Sequence, residues 1–314
     1  MTEFAMLFPG QGSQYVGMLS SYFNTKTNNI FKDTFNEASD YIHYDLLKLI
    51  QKGPKLTLNQ SQYTQASILT ASLAIYRFWN YQKGILPLFM SGHSLGEYSA
   101  LVCSNSIKFS DALNIVFIRG KLMQKITQNK STLMQAIIGI DKKKIEHICT
   151  TVSNKKIVSL ASINSNDQIV IVGDECAVNK ASINCKKIGA QKIFKMNLNI
   201  PAHCILMKPI SQKLKKILKI TNIISPEIPV INNVDVKIEH SKKKIINALI
   251  RQIYNTVRWK EIIDLIKSKN IFTMLEIGPN QILTNLNKKD QNINSFNTNN
   301  LTNFLIAFNK INYK

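Results

Sequence analysis

The sequence of 314 residues predicts an α/β fold, with a parallel sheet and a second, smaller α/β unit inserted into it. Short apolar runs have the length of buried strands: EFAMLF (3–8), ILPLFM (85–90) and FTMLEIG (272–278). Helical patterns stand between these runs, at SILTASLAIYRFWNYQ (67–82) and SDALNIVFIRGKLMQ (110–124). Strands that alternate with helices indicate a parallel sheet covered on both faces.

The middle of the chain has a different order of elements. The segments are LMQAIIGI (133–140), a lysine-rich helix (141–153), IVSLASI (157–163), QIVIVG (168–173), a helix (174–189) and QKIFKMNL (191–198). This β-α-β-β-α-β order is the split arrangement of ferredoxin-like folds. We therefore predict a small subdomain at 128–199, inserted into a large domain made of 1–127 and 200–314. From about 288 the chain is rich in Asn, and we expect partial disorder before a last apolar segment.

The composition argues against several classes of protein. No apolar run approaches the roughly 20 residues that cross a bilayer, and the start MTEFAMLFPGQGSQ lacks the basic region of a secretory signal. The five cysteines are scattered and form no C-x-x-C pair, which argues against a disulfide framework and a zinc site. No H-E-x-x-H occurs either. We expect an unexported, cytoplasmic protein without a metal.

The net charge of +21 is the most unusual compositional feature, and it invites a nucleic-acid hypothesis. The lysines, however, are spread along the whole chain beside Ile and Asn, as in KKKIEHI and KLKKILKI, which is typical of solvated helix faces. No helix-turn-helix, zinc finger or RNA-binding aromatic motif is present. We therefore expect neither nucleic acid nor membrane as a partner. An acidic macromolecular partner remains open.

The stretch FMSGHSLGEYSAL (89–101) predicts a nucleophile. It places Ser94 between Gly92 and Gly96, after an apolar strand and before apolar residues at helical spacing. This strand–turn–helix setting is what the G-x-S-x-G nucleophile elbow requires, and the glycines permit the tight turn. At a helix N-terminus, free N–H groups also favour a developing negative charge on the serine. The alternative is a serine in an ordinary βα turn.

His203, in NLNIPAHCILMKP, is the predicted base for Ser94. It follows a strand and a proline and precedes a helix, so we expect it at the same sheet edge as the serine. The other histidines fit less well: His43 is in a helical stretch, and His147 and His240 are in lysine-rich surface segments. His93 adjoins Ser94, so its side chain should point away from it. No aspartate stands out as the partner of His203, and a carbonyl oxygen is an alternative.

Arg119 is a candidate for substrate recognition. On a helix, Arg119 shares one face with the apolar residues Ala112, Val116 and Met123. A guanidinium on an apolar face needs an anionic partner, because an unpaired buried charge is costly. The partner is either an internal Asp or Glu or the carboxylate of a substrate, which the planar fork of donors fits well.

The loop PGQGSQYVG (9–17) does not match a phosphate-binding motif. Tyr15 stands where G-x-G-x-x-G needs its last glycine, and Met-Leu follows Gly17 where a P-loop has Lys-Ser. A glycine-rich turn after the first strand can still offer a backbone N–H to an oxyanion. We predict an oxyanion hole made of the N–H groups of Gln11 and Leu95.

Together these segments resemble the acyltransferase family of bacterial malonyl-CoA:acyl-carrier-protein transacylases. The resemblance covers nearly the whole chain, in the order FPGQGSQ, YTQAS, GHSLGEYSALV, RGKLMQ, INSNDQIVI, IPAHCILMKP, RQIYNTVRW and LEIGPNQIL. It implies an α/β-hydrolase-like large domain with an inserted ferredoxin-like subdomain. By the same resemblance Ser94 is the acylated nucleophile, His203 its base and Arg119 the residue that binds the malonyl carboxylate. Gln11 and Leu95 match the residues of the oxyanion hole.

Further site residues come from the resemblance alone. It implies that the carbonyl of Gln252 orients the histidine, and that Gln65 and Asn164 line the pocket. The chain departs from the family at Ala66 and Thr256, where Pro is common, and at Asn280, where Gly is common. These departures concern backbone stiffness near the site and not the chemical groups.

The resemblance implies ping-pong transfer of malonyl from malonyl-CoA to the phosphopantetheine thiol of acyl carrier protein, in fatty acid biosynthesis. The phosphopantetheine belongs to the partner, and no permanently bound cofactor is expected. The carrier proteins of such enzymes are acidic, so the basic surface would serve docking. We expect a monomer. The elbow alone leaves open a serine thioesterase or hydrolase, and the charge leaves open a non-enzymatic binding module.

Overall fold

The structure, a computed structural model, describes residues 2–24, 28–127, 130–196 and 200–313. Two sheets are present in this part of the chain. Their strands are β1 (Phe4–Phe8), β2 (Phe89–Gly92), β3 (Thr132–Ile138), β4 (Val158–Ile163), β5 (Gln168–Asp174), β6 (Lys192–Lys195), β7 (Val230–Ile231), β8 (Thr273–Glu276) and β9 (Asn294–Asn297).

Helices of very different length surround the strands. They are α1 (Ser20–Phe23), α2 (Asn28–Ile42), α3 (Leu46–Lys52), α4 (Lys55–Leu58), α5 (Ser61–Tyr81), α6 (Gly96–Cys103), α7 (Phe109–Thr127), α8 (Lys142–Val152), α9 (Glu175–Lys187), α10 (Lys208–Ile220), α11 (Lys242–Gln252), α12 (Trp259–Ser268), α13 (Ile282–Asn287) and α14 (Leu301–Asn312). One turn of 3-10 helix, Ile205–Met207, precedes α10. Among the described residues, no helix combines the length and the apolar character needed to span a bilayer.

The large sheet is parallel and is covered on both faces, as predicted. Its strand order is β7-β2-β1-β8-β9, and every pairing is parallel. Alternate residues of the central strand β1 point to opposite faces. Phe4, Met6 and Phe8 enter a core formed with α5, α6, α7 and α14, whereas Ala5 and Leu7 enter a core formed with α12. The sheet thus separates two hydrophobic layers.

The second sheet is antiparallel and has the predicted ferredoxin-like topology. Its strands follow the order β4-β5-β3-β6, with α8 and α9 packed on one face over a separate core. The opposite face packs Met134, Val170 and Val172 against Cys204 and Leu206, which follow His203 in the chain. The α/β-hydrolase-like large domain and the inserted ferredoxin-like subdomain are therefore both present.

Two expectations about individual elements were wrong. The second strand begins at Phe89 and not at 85, because Pro87 has no N–H for the ladder, and Leu86 and Leu88 are exposed. The Asn-rich tail is ordered within the described residues: it forms β9 and α14, which buries Phe304 and Ile311 against the large core.

The predicted domain boundaries lie at the edge of what the structure describes. Residues 128–129 and 197–199 are outside the described ranges. The division into 1–127 with 200–314 and 128–199 therefore stays a prediction. It agrees with a second sheet whose strands all lie between 132 and 195.

Candidate active site

Ser94 lies on a tight turn between β2 and α6. Its φ is 55°, in the left-handed region that side chains rarely adopt. A Cβ at Gly92 would lie 1.9 Å from the carbonyl carbon of Gly96, and one at Gly96 would lie 2.0 Å from the oxygen of Phe8. Only glycine fits at both positions, so the strand–turn–helix of a nucleophile elbow is present at this serine.

Residues from distant elements hold the backbone of this turn. The Ser94 N–H donates to Oδ1 of Asn233 at 2.7 Å, and the Ser94 oxygen accepts from Nε2 of Gln252 at 2.9 Å. Asn233 also donates through Nδ2 to the oxygen of Gly92 at 2.7 Å. Both polar groups of the strained residue are thereby satisfied, which stabilises its unusual conformation.

His203 contacts Ser94 directly. Its Nε2 lies 2.7 Å from Ser94 Oγ, and its Nδ1 lies 2.8 Å from the main-chain oxygen of Gln252. A carbonyl oxygen only accepts, so Nδ1 carries the proton and Nε2 is left to accept the proton of Ser94. Burial, and secondly the charge of Arg119, lowers the pKa of His203 to about 3. The imidazole is therefore neutral, as a general base must be.

The elements that position His203 beside the serine differ from the prediction. The strand before it, β6, belongs to the small sheet, so the edge of the parallel sheet does not position the histidine. Instead the main-chain N–H of His203 donates to the main-chain oxygen of Ile253 at 3.0 Å. Nδ1 of its ring bonds to the main-chain oxygen of Gln252, the last residue of α11. The partial negative charge at a helix C-terminus favours an imidazolium there. This takes the place of the missing aspartate.

Arg119 lies beside the same serine hydroxyl. It is 1% exposed, and its Nη2 lies 3.3 Å from Ser94 Oγ and 3.2 Å from Oε1 of Gln252. Within the described ranges no carboxylate oxygen lies within 4.0 Å of its nitrogens, and its Nε has no hydrogen-bond partner. The internal Asp or Glu partner considered from the sequence is not found in this part of the chain.

Gln65 links Arg119 to the loop after β1. Its Oε1 accepts from Nη1 of Arg119 at 2.7 Å, and its Nε2 donates to Oγ of Ser61 at 2.8 Å. The Ser61 hydroxyl in turn donates to Oε1 of Gln11 at 3.1 Å. A polar chain across α5 thus fixes the guanidinium relative to the predicted oxyanion hole.

The backbone N–H groups of Gln11 and Leu95 are available for an acceptor. In the part of the chain described, neither group donates a hydrogen bond. Leu95 immediately precedes α6. Gly10 packs so closely on the elbow that a Cβ there would lie 2.6 Å from the oxygen of His93. The loop after β1 and the start of α6 therefore meet where an oxyanion would form.

Asn164 contacts the neighbour of the nucleophile and not the nucleophile itself. Its Oδ1 lies 3.1 Å from Nε2 of His93. This confirms that the ring of His93 points away from Ser94. Asn164 follows β4, so this contact brings the small subdomain to the rim of the site.

The sequence-based interpretation missed two polar residues, Asn233 and Glu97. Glu97 is 2% exposed, and its Oε2 accepts from Nε2 of Gln252 at 2.8 Å and from the N–H of Asn233 at 3.0 Å. Burial raises the pKa of Glu97 to about 7, although these hydrogen bonds oppose the shift. The sequence carries no signal for this role, since the partners of Glu97 on α6 lie more than 130 positions away in the chain.

The departures from the family pattern leave these groups intact. Ala66 is buried within α5, and the Thr256 hydroxyl donates to the oxygen of Leu160 at 2.8 Å, which ties the large domain to β4. Asn280 donates to the oxygen of Ser13 at 3.4 Å. No cluster of three or more His, Cys, Asp or Glu that could hold a metal ion occurs among the residues described.

Comparison with known proteins gives consistent matches over nearly the whole chain. The family model described as the acyl transferase domain matches residues 5–298. The malonyl CoA-acyl carrier protein transacylase of Buchnera aphidicola subsp. Schizaphis graminum is 61% identical over 99% of this chain and 100% of its own length. That of Escherichia coli K12 is 43% identical over 92% of this chain and 93% of its own.

Solved structures match equally well. A malonyl-transacylase in complex with its type II PKS acyl-carrier protein has a TM-score of 0.96 and 42% identity, and covers 98% of this chain and 100% of its own. The acyl carrier protein S-malonyltransferase of Vibrio cholerae O1 biovar eltor has a TM-score of 0.94 and 40% identity, with the same coverage of 98% and 100%. The chain belongs to the acyl transferase family, among the bacterial malonyl CoA-acyl carrier protein transacylases.

Proposed function

We propose that this protein transfers the malonyl group from malonyl-CoA to the phosphopantetheine thiol of acyl carrier protein, through a malonyl ester on Ser94, and so supplies fatty acid biosynthesis. One observation carries the proposal. A neutral imidazole and a buried guanidinium both contact Ser94 Oγ, at 2.7 Å from His203 and 3.3 Å from Arg119. A base activates the nucleophile, and the cation selects an acyl group that carries a carboxylate.

In the first half-reaction, His203 Nε2 takes the hydroxyl proton as Ser94 Oγ attacks the thioester carbonyl. The carbonyl oxygen becomes an oxyanion within reach of the N–H groups of Gln11 and Leu95. When the C–S bond breaks, the imidazolium returns its proton to the leaving thiolate of coenzyme A. An oxyanion-hole donor typically contributes roughly 10²–10³ in rate.

In the second half-reaction, the phosphopantetheine thiol gives its proton to His203 and attacks the malonyl-serine ester. The same N–H groups stabilise the second oxyanion. The C–O bond to Ser94 then breaks, and the imidazolium reprotonates the serine oxygen. No metal or permanently bound cofactor takes part in either step.

Arg119 supplies the preference for malonyl over acetyl groups. Its Nε has no partner among the described residues, and its Nη2 contacts are long, at 3.2 and 3.3 Å, so a carboxylate can compete for these donors. Gln65 keeps Nη1 in place through a bond of 2.7 Å. Burial disfavours the charged guanidinium and lowers the pKa of Arg119. A carboxylate bound through two parallel hydrogen bonds would neutralise this charge.

An acidic acyl carrier protein is the proposed acceptor partner, and the cytoplasm the proposed compartment. A net charge of +21 favours the approach of an acidic protein, and a relative of 42% identity was solved with its acyl-carrier protein. All five cysteines are free, which supports a reducing compartment.

Mass spectrometry tests the proposal directly. After mixing with malonyl-CoA, the peptide that holds Ser94 should gain a malonyl group in the wild type and not in Ser94→Ala. Addition of carrier protein in its phosphopantetheine form should discharge the adduct and yield malonyl-carrier. Release of free malonate instead would establish a hydrolase, and binding without an adduct would leave only a binding module.

A further inference from the structure

We propose that Glu97 is a positioning residue for the reaction: its carboxylate holds the two residues that fix the nucleophile and its base. The proposal rests on the proposed function, since it assigns a role within the same site. Glu97 does not touch Ser94 Oγ in the described contacts. It acts through Gln252 and Asn233.

A single carboxylate oxygen joins these two residues. Oε2 of Glu97 accepts from Nε2 of Gln252, at the end of α11, at 2.8 Å. It also accepts from the N–H of Asn233, just after β7, at 3.0 Å. Glu97 is itself on the first turn of α6, directly after the elbow. Segments far apart in sequence thus meet at one buried acceptor.

Both polar groups of the Ser94 backbone are bonded to residues that this acceptor holds. Asn233 accepts from the Ser94 N–H, and Gln252 donates to the Ser94 oxygen. The conformation with φ of 55° persists only while its surroundings enforce it. The main-chain oxygen of Gln252 also holds Nδ1 of His203. A shift of Gln252 would therefore displace nucleophile and base together.

Glu97 also determines how the Gln252 amide is turned. A carboxylate oxygen accepts, so the Nε2 group of Gln252 must face it, and Oε1 must then face Nη2 of Arg119 at 3.2 Å. With the carboxylate removed, only the Ser94 oxygen and the donors of Arg119 still favour this orientation of the amide. A flipped amide would present N–H donors to the guanidinium, which has only donors itself.

Because Glu97 accepts both hydrogen bonds through one oxygen, Oε2, the proposal predicts which substitutions of Glu97 are tolerated. In Glu97→Gln, the amide oxygen can take the place of Oε2 and keep both bonds. Glu97, Asn232 and Glu239 are among the residues that line a small cavity, which leaves room for the amide nitrogen. Glu97→Leu has similar size and no acceptor. Glu97→Asp keeps a buried carboxylate but is one methylene shorter and cannot reach both donors.

Glu276 offers a matched control. Like Glu97 it is buried, at 1% exposure, and burial raises its pKa to about 7. Its carboxylate accepts from the N–H groups of Leu283 and Thr284 and from the Thr284 hydroxyl, away from Ser94. Glu276→Leu therefore removes an equally buried acceptor without touching Asn233 or Gln252.

The experiment uses readouts that a general loss of stability would not move. These are the saturating rate and the apparent affinity for malonylation of Ser94, its sulfonylation by phenylmethanesulfonyl fluoride, and the NMR resonance of the His203 Nδ1 proton. Each is measured on protein whose folded fraction is known from circular dichroism.

We expect Glu97→Leu to lower both saturating rates by about 100-fold, the cost of a misplacement of about 1 Å, with little change in affinity and with loss of the His203 resonance. Glu97→Gln should lose less than about tenfold and keep the resonance. Glu97→Asp should lie between them. Folded Glu276→Leu should match the wild type.

Several results would overturn the positioning role. One such result is a rate near that of the wild type in Glu97→Leu. If Glu97→Leu does not fold, the corresponding result is a rate near that of the wild type in Glu97→Asp, with an unchanged His203 resonance. A loss in Glu97→Gln as large as in Glu97→Leu would also do so. If Ser94 of the wild type is sulfonylated but never malonylated, the proposed function fails. The sulfonylation rates of the variants and their His203 Nδ1 resonance then still test the positioning role of Glu97.

Discussion

The imidazole of His203 donates through Nδ1 to the main-chain oxygen of Gln252, at 2.8 Å, and not to a carboxylate. A neutral carbonyl raises the basicity of the ring less than a carboxylate would. Burial and the charge of Arg119 instead lower the pKa of His203 to about 3. The base is therefore kept in its neutral, proton-accepting form far below neutral pH.

The acylation rate should accordingly be insensitive to histidine protonation near pH 6.5. Burial also lowers the pKa of His93. Burial raises the pKa of Glu97 to about 7, within this pH range, so the measurement uses a background without this carboxyl group. In the Glu97→Gln background, single-turnover malonylation should stay level as the pH falls from neutrality, until His203 is protonated or the protein unfolds. A loss of rate with an apparent pKa near 6.5 would contradict this.

The lowered pKa of His203 also makes the stability of the protein depend on pH. The unfolded chain binds a proton on His203 near its ordinary pKa, whereas the folded chain binds it only near pH 3. Between these values the unfolded state binds more protons, so this histidine lowers the free energy of unfolding as the pH falls. In urea titrations through this window, the free energy of unfolding should fall more steeply with decreasing pH in the wild type than in His203→Gln.

Arg119→Ala should separate malonyl from acetyl transfer. Truncating one partner of a buried charge pair typically costs about 2–5 kcal/mol, which is tens to thousands of fold at about 1.4 kcal/mol per tenfold. Malonyl transfer should lose this factor and acetyl transfer much less, as measured by Ser94 acylation from each coenzyme A ester. Arg119→Lys keeps the charge without the planar fork and should lie between. Equal losses with both esters would remove the carboxylate role.

The sequence was most informative where local geometry decides the outcome. Gly92 and Gly96 predict the elbow because no side chain fits there, and Arg119 is recognisable as a cation on an apolar helix face. His203 was identified, but its expected placement by a strand of the large sheet was wrong, since the end of α11 positions it. Asn233 and Glu97 were missed, because their role exists only after chain segments far apart in sequence have met.

Gly96→Ala should prevent the elbow from closing. The added Cβ would lie 2.0 Å from the Phe8 oxygen and 2.9 Å from the Pro9 oxygen, and backbone cannot yield as a side chain can. We expect a loss of about 3 kcal/mol or more in the free energy of unfolding and no malonylation of Ser94. Ser99→Ala, on the same helix, is the control: the buried Ser99 hydroxyl has no hydrogen-bond partner in the described part of the chain, so its removal should leave the stability unchanged or improved.

Ionic strength should distinguish the carrier protein from a small acceptor. The charge of +21 acts over the Debye length, which shrinks as salt is added, so attraction to an acidic protein weakens while contacts inside the site do not. Between about 50 and 200 mM NaCl, kcat/KM for transfer to carrier protein should fall several-fold, whereas transfer to free pantetheine should stay nearly constant. Malonylation of Ser94 by malonyl-CoA, itself an anion, is measured separately, so that its own salt dependence is subtracted. If carrier protein and pantetheine lose rate in parallel, the excess of lysine does not contribute to recognition of the partner.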